Sequence, residues 1–283
     1  MIRQVLLSLP SYPDRPQEQV LEGAATLAQL LGASLTAQIP QLSGDRKTWP
    51  PIMGAYPLDF PQLMNEAVVQ SERNAASLAE DIGKACSALR VPLDIRRSLA
   101  NLIDSPDSLV DLARLHDLTI VPCSQTDLLG GTVTEAVIFG SGRPTLLLPS
   151  GTGTKSLQWL DRVVVAWDYS REAARAMADA LPILAKAKKV HIVSVLGEKG
   201  LHTTCVPGDL EKYLAAHQVK YVLDQVPLKD AAIGERLMSY AGEVKADMLV
   251  MGAYGRSRFR EFVLGGATRG ALSDPKLPIF VSH

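Results

Sequence analysis

Asp247-Met-Leu-Val-Met-Gly-Ala-Tyr-Gly255, followed after nine residues by Gly265-Gly266-Ala267-Thr268, is the stretch on which the reading of the fold turns. Met248 to Met251 is a short apolar run and predicts a buried strand. Thr268-Arg-Gly-Ala-Leu272 predicts the start of a helix. Strand, glycine loop and helix in that order form the layout of a phosphate cradle. Glycines let the backbone approach a polyphosphate and take positive φ, and the amides of the next helix's first turn are unpaired donors at the positive end of its dipole. A loop that merely turns has the same local composition, so the glycines alone leave both readings open.

Outward from this stretch, apolar strand-like runs alternate with helical patterns. In the first half the runs are Val5 to Leu9, Ser34 to Ile39, Pro92 to Ser98, Thr119 to Pro122 and Thr145 to Leu148, with helical stretches near 16–31, 61–89, 104–115 and 132–139. In the second half they are Arg162 to Trp167, Val190 to Leu196, Lys220 to Val226, Met248 to Met251 and Ile279 to Val281, with helical stretches near 171–187, 208–217, 229–244 and 266–273. Each half is βαβαβαβαβ, which predicts a parallel sheet with helices on both faces and right-handed crossovers. The fold class is α/β, with two tandem, doubly wound, five-stranded domains at residues 1–150 and 157–283, joined by the small-residue segment Pro149 to Ser156.

The repeat is visible when Asp117-Leu-Thr-Ile-Val-Pro122 is laid against Asp247-Met-Leu-Val-Met-Gly252. Gly252 then falls opposite Pro122 and Gly255 opposite Gln125, so the first half lacks the glycine cradle. Last strands of such sheets lie at an edge, yet Thr145 to Leu148 and Pro278 to Val281 are apolar in succession. An apolar edge invites pairing, so the two halves are expected to pair through these strands as an internal pseudo-dimer; helices covering each edge separately are the alternative.

Composition narrows the function. Among 283 residues, 47% are apolar and 21% charged, an ordinary globular balance, and the formal net charge of −1 offers no footprint for nucleic acid. No run reaches membrane-spanning length and the first residues lack signal-peptide features, so the expectation is a cytoplasmic protein with no membrane partner. Cys86, Cys123 and Cys205 are scattered without metal spacing and read as reduced and structural.

Ligands of open α/β sheets sit at the carboxyl ends of the strands, at the switch point between the first and fourth. In the second half those strands end at Asp168 and at Gly252. The Asp168 carboxylate can accept hydrogen bonds from a ribose or a base; equally, Asp168 or Ser170 can cap the helix that opens at Arg171.

Val163-Val-Val-Ala-Trp-Asp-Tyr-Ser170, the stretch Asp247 to Arg258, and Leu264-Gly-Gly-Ala-Thr-Arg269 together resemble the universal stress protein family. The likeness covers essentially the second half; the first matches in strand order but not in motif. In the nucleotide-binding branch the pattern is Gly, two residues, Gly, nine residues, then Gly followed by Ser or Thr. Gly252, Gly255 and Gly265 match it, Gly266 replaces the hydroxyl residue, and Thr268 matches a second hydroxyl position. The resemblance implies an adenine nucleotide alpha hydrolase-like, Rossmann-like domain whose adenine pocket is walled by Val195, with Asp168 near the ribose or base. ATP is the implied cofactor, held by amides of Gly255, Gly265 and Gly266 in the Gly265-Gly266-Ala267-Thr268 turn and by the Thr268 hydroxyl. Arg256 and Arg258 either reach the phosphates or are solvated loop charges. A Mg²⁺ bound chiefly by phosphate and water is compatible with such a site, although no carboxylate pair is dedicated to it.

Nothing points to catalysis. His116, His191, His202, His217 and His283 have no triad or metal spacing, and His191, inside an apolar run, reads as a satisfied core histidine. Gly151-Thr-Gly-Thr-Lys155-Ser156 only superficially matches a phosphate loop, because Thr154 stands where that motif needs glycine. The long segment from Pro40 to Leu63, with Trp49 and Tyr56, reads as a packed insertion or a flap. The expectation is therefore a stress-response module that binds ATP in its C-terminal half and is not an enzyme. The alternatives are a nucleotide-free interaction protein and a slow ATP-hydrolysing enzyme, and association into a homodimer is compatible with each.

Overall fold

The computed structural model describes residues 1–45, 59–100, 106–123, 130–150, 160–197, 208–228, 232–253 and 277–283. The first half runs β1 (Gln4–Ser8), α1 (Glu18–Leu31), β2 (Ser34–Leu42), α2 (Phe60–Leu89), β3 (Leu93–Ala100), α3 (Asp107–Arg114), β4 (Leu118–Cys123), α4 (Gly130–Gly140) and β5 (Thr145–Pro149). The second runs β6 (Arg162–Ala166), α5 (Arg171–Leu184), β7 (Lys189–Leu196), α6 (Asp209–Ala216), β8 (Tyr221–Pro227), α7 (Ile233–Glu243), β9 (Met248–Gly252) and β10 (Ile279–Ser282). The helix expected near 266–273 and the 151–156 part of the linker lie outside the described residues. The segment expected to be irregular from Pro40 to Leu63 is shorter than its sequence implies, since β2 extends to Leu42 and α2 begins at Phe60; Trp49 and Tyr56 lie outside the described residues.

Among the described residues, all strands join one ten-stranded sheet in the order β3-β2-β1-β4-β5-β10-β9-β6-β7-β8. Pairing is parallel within each half, and the order β3-β2-β1-β4-β5 is mirrored by β10-β9-β6-β7-β8 about the centre. At the centre β5 and β10 pair antiparallel, with Ile279 opposite Leu147, Phe280 opposite Leu146 and Val281 opposite Thr145. The apolar last strands thus cover each other's edge rather than each being covered by a helix. Each half is a parallel unit, and a two-fold relation between units brings equivalent edges together antiparallel.

Central strands are apolar in succession because both sheet faces are covered. On one face α1, α2, α5 and α6 pack over Leu7, Leu35, Val163, Val165 and Val250. On the other, α7 covers Val164, Val193 and Leu249, and Ile138 of α4 joins the same cluster with Val121, Leu147, Ile279 and Val281, so this core crosses the seam between halves. The outermost strands read differently: β3 exposes Asp94, Arg96 and Arg97, charges that discourage further strand addition.

The duplication is preserved in detail. Asp117 Oδ2 accepts the amides of Arg3 at 2.8 Å and Gln4 at 3.1 Å, and Asp247 Oδ2 accepts those of Asp161 and Arg162, each at 2.8 Å. In both halves a carboxylate before the fourth strand fastens the start of the first.

Candidate functional site

The site expected from sequence lies where β6, β7 and β9 end. β6 pairs with β7 on one side and with β9 on the other, which makes the boundary between β6 and β9 the switch point of the strand order, the place where ligands of open α/β sheets sit. The Trp167 amide donates to the Val193 carbonyl at 2.8 Å and the Ser194 hydroxyl to the Trp167 carbonyl at 2.8 Å, so β6 and β7 are tied together one residue before Asp168. Register then sets Asp168 beside Val195, the half-buried end of the β7 core run, and Gly252 at the neighbouring end of β9. Asp168, Val195 and Gly252 therefore converge on one edge. Gly255, Arg256, Gly265, Gly266, Ala267 and Thr268 lie outside the described residues.

The turn from β6 into α5 settles how the capping work is shared. Ser170 is the cap: its Oγ accepts from the Ala173 amide at 3.1 Å. Asp168 Oδ1 accepts from the Ser170 amide at 2.9 Å, an Asx turn that allows Tyr169 its left-handed φ of 62°. Asp168 is exposed, and its Oδ2 has no partner among the described residues. One carboxylate oxygen organises the loop while the other faces solvent at the strand ends.

Gly252 has a structural reason of its own. A Cβ there would stand 2.5 Å from the Glu172 carbonyl carbon and 2.7 Å from its oxygen, because the first turn of α5 rests on the end of β9. The short β6–α5 link forces this approach. In the first half α1 starts only at Glu18, well after β1 ends at Ser8, and Pro122 occupies the position equivalent to Gly252.

The Asp117–Asp247 equivalence also aligns Pro10 with Asp168, a substitution that sequence comparison of the fourth strands does not reach. The corresponding edge of the first half is filled by its own chain. Ser71, fully buried in the 30-residue α2, shares a 2.6 Å hydrogen bond with Ser11 and accepts from the Leu42 amide at 2.8 Å, while Asn74 donates to the Ser11 carbonyl at 2.9 Å. In the second half the equivalent helix, α6, has only 8 residues. The two halves share a frame and differ at the strand ends.

Among the described residues, no group of three or more His, Cys, Asp or Glu side chains is placed to hold a metal ion. His191 is buried and bonded to Asp224 and Tyr240, as its place in an apolar run predicts. No helix among the described residues is long and apolar enough to cross a membrane.

Comparison with known proteins agrees with this architecture. Over 99% of its length the chain superposes on a candidate universal stress protein of Pseudomonas aeruginosa UCBPP-PA14, covering 93% of that chain at 12% identity and a TM-score of 0.56. It superposes equally on a functionally unknown protein of Pseudomonas aeruginosa PAO1, with a TM-score of 0.56, 12% identity, and 99% and 92% of the two chains covered. At that identity the likeness speaks for the fold. No curated protein sequence matches the chain. Residues 160–283, however, match the universal stress protein family directly, so it is this second half of the chain that is similar in sequence to that family.

Proposed function

We propose that the second half binds an adenine nucleotide, ATP, at the carboxyl ends of β6, β7 and β9, and that the protein is a cytoplasmic stress-response module rather than an enzyme. One observation carries this reading. Asp168 and the start of the glycine stretch emerge from the two strands that flank the switch point, whereas the first half has Pro10 and Pro122 at those places and fills the edge with α2. Residues 1–150 then act as a scaffold domain and residues 157–283 as the sensing domain.

The groups present fit such a ligand. The second oxygen of Asp168 can accept from a ribose hydroxyl or an adenine amine, and Val195 offers an apolar wall. Gly255, Gly265, Gly266 and Thr268 would supply amides and a hydroxyl to the phosphates, with Arg256 beside them and Mg²⁺ held by phosphate and water. Nucleotide would act by differential affinity for two states of the protein or its assembly. Gly266, where the family pattern has a hydroxyl residue, supports the rival reading of a nucleotide-free interaction protein.

Mass spectrometry of nucleotide released from the purified protein, with a Gly265→Val control, separates the two. Bound ATP in the native chain and none in the variant is the expected result. Absence of nucleotide together with absence of an ATP-induced thermal shift overturns it, and turnover of bound ATP within hours would make the protein an enzyme.

A further inference from the structure

The first half carries a feature of its own on the sheet face opposite α1 and α2. The paired amide bonds of Asp117 and Asp247, with the register of the strands, align Ser8 with Ala166, Gln38 with Val193 and Ser98 with Val226. In the second half these three are apolar and join the core under α7, together with Leu237 and Tyr240. In the first half all three are polar. The helix on this face, α3, has 8 residues where α7 has 11, about one turn fewer, and its Leu109 and Val110 pack with Leu6.

These polar side chains are buried at the carboxyl ends of their strands. Ser8 is 6% exposed and Gln38 4%. Gln38 Nε2 donates to the Ser98 hydroxyl at 3.2 Å, and Ser98 is half-buried, so the pair leads from the interior to the surface. Thr134, 5% exposed, joins them from α4. It lies three and four residues before Val137 and Ile138, which pack with Leu6 and Val121, and α4 runs against the strands it connects. One turn toward the start of α4 therefore brings Thr134 to the level of Ser8. The hydroxyls of Ser8 and Thr134 and the Gln38 Oε1 have no hydrogen-bond partner among the described residues. A buried polar group without a partner costs stability, and the second half shows that the frame accepts Ala and Val at the equivalent strand positions. Stability of the fold does not account for Ser8, Gln38 and Ser98.

We propose that this polar floor binds a neutral polyol of monosaccharide size through the hydroxyls of Ser8, Ser98 and Thr134 and the carboxamide of Gln38. Hydroxyl and carboxamide groups both donate and accept, which matches a ligand whose own hydroxyls do the same. None of the four is charged, so an ionic ligand would find no counter-charge among them, and an apolar one would leave them unpaired. Ser8, Gln38 and Ser98 stand on three neighbouring strands, a width of roughly 10 Å that suits a sugar ring with its substituents. β1 lies between β2 and β4, at the switch point of the first half, where ligands of such sheets sit. The site belongs to the first half and stands or falls independently of the nucleotide site in the second.

Saturation-transfer NMR of the full chain with D-ribose, D-glucose, D-mannose and myo-inositol tests the proposal. Saturable transfer to at least one of these probes is expected, and inorganic phosphate should not displace it. Ser8→Ala/Gln38→Val/Ser98→Val, which installs the residues of the second half, should abolish the transfer while melting at or above the native temperature and keeping the ATP response. Thr134→Val, which keeps the side-chain shape and removes only the hydroxyl, should weaken binding at least about tenfold, a change of about 1.4 kcal/mol. Asp168→Ala should leave the transfer unchanged. Transfer to none of the four probes, transfer kept at native strength in the triple variant or in Thr134→Val, displacement by phosphate, or loss in Asp168→Ala would overturn the assignment. A triple variant that melts below the native chain would overturn it as well, because the polar groups would then serve the fold.

Discussion

Gly252 rests against Glu172 so closely that no side chain fits between them: a Cβ on Gly252 would stand 2.5 Å from backbone carbon and 2.7 Å from backbone oxygen. The obstacle is main chain at the first turn of α5, which cannot rotate away. Gly252→Ala is therefore expected to destabilise the protein by about 1–3 kcal/mol, the usual range for overpacking. Urea unfolding should show a lower midpoint with an unchanged slope. A midpoint equal to the native one would mean that α5 shifts freely from the strand end.

Ser170 and Asp168 divide cap and ligand roles, and the division can be measured. Ser170→Ala removes the acceptor of the Ala173 amide and should cost about 1 kcal/mol of stability. Asp168→Ala should weaken ATP binding at least about tenfold, a change of about 1.4 kcal/mol, without unfolding the domain. Unchanged ATP affinity in that variant would confine Asp168 to the loop it organises.

Phe280 is fully buried in the strand that joins the halves. Phe280→Ala is expected to cost about 3–5 kcal/mol. Because Val121, Ile138 and Leu147 share a core with Ile279 and Val281, both halves should unfold together in the variant as in the native chain. Circular dichroism and tryptophan fluorescence should give coincident transitions; separated transitions would show that the seam does not couple the halves.

Asp224 governs an acid-side dependence. Burial alone would raise its pKa, but the hydrogen bonds from Tyr240 and His191, with the charges of His191 and Lys189, hold it below the ordinary aspartate value. A depressed carboxylate contributes stability above its unfolded pKa, about 3.9, and that contribution is lost as pH falls through the folded value. The stability gap between the native chain and Asp224→Asn should thus be widest above pH about 4 and close at lower pH. Thermal melts across the acid range check the sign. A gap that widens on acidification would contradict it.

Much of the frame was legible along the chain because the central strands are buried on both faces and so appear as unbroken apolar runs. Thr145 to Leu148 and Ile279 to Val281 announced their pairing in the same way, since an apolar edge strand needs a partner. The Asp168 and Gly252 ends could be read as neighbours from the strand order that βαβ units impose. The equivalence of Pro10 and Asp168 could not, because the first strands share too little sequence and only the paired amide bonds of Asp117 and Asp247 set the register. Ser71 in α2 gave no signal either: it reads as an ordinary helical serine until its contact with Ser11, 60 residues away, closes the first-half edge.

The amino-acid sequence by itself determined the duplicated α/β units, their switch points and the half that carries the glycine loop, because periodicity, proline and glycine act locally. The tertiary structure alone decided that Gly252 is demanded by Glu172, that α2 seals one edge, and that His191 meets Asp224 and Tyr240. Each of these depends on distances between residues far apart in the chain, which only the register of paired strands and the packing of helices upon them can set.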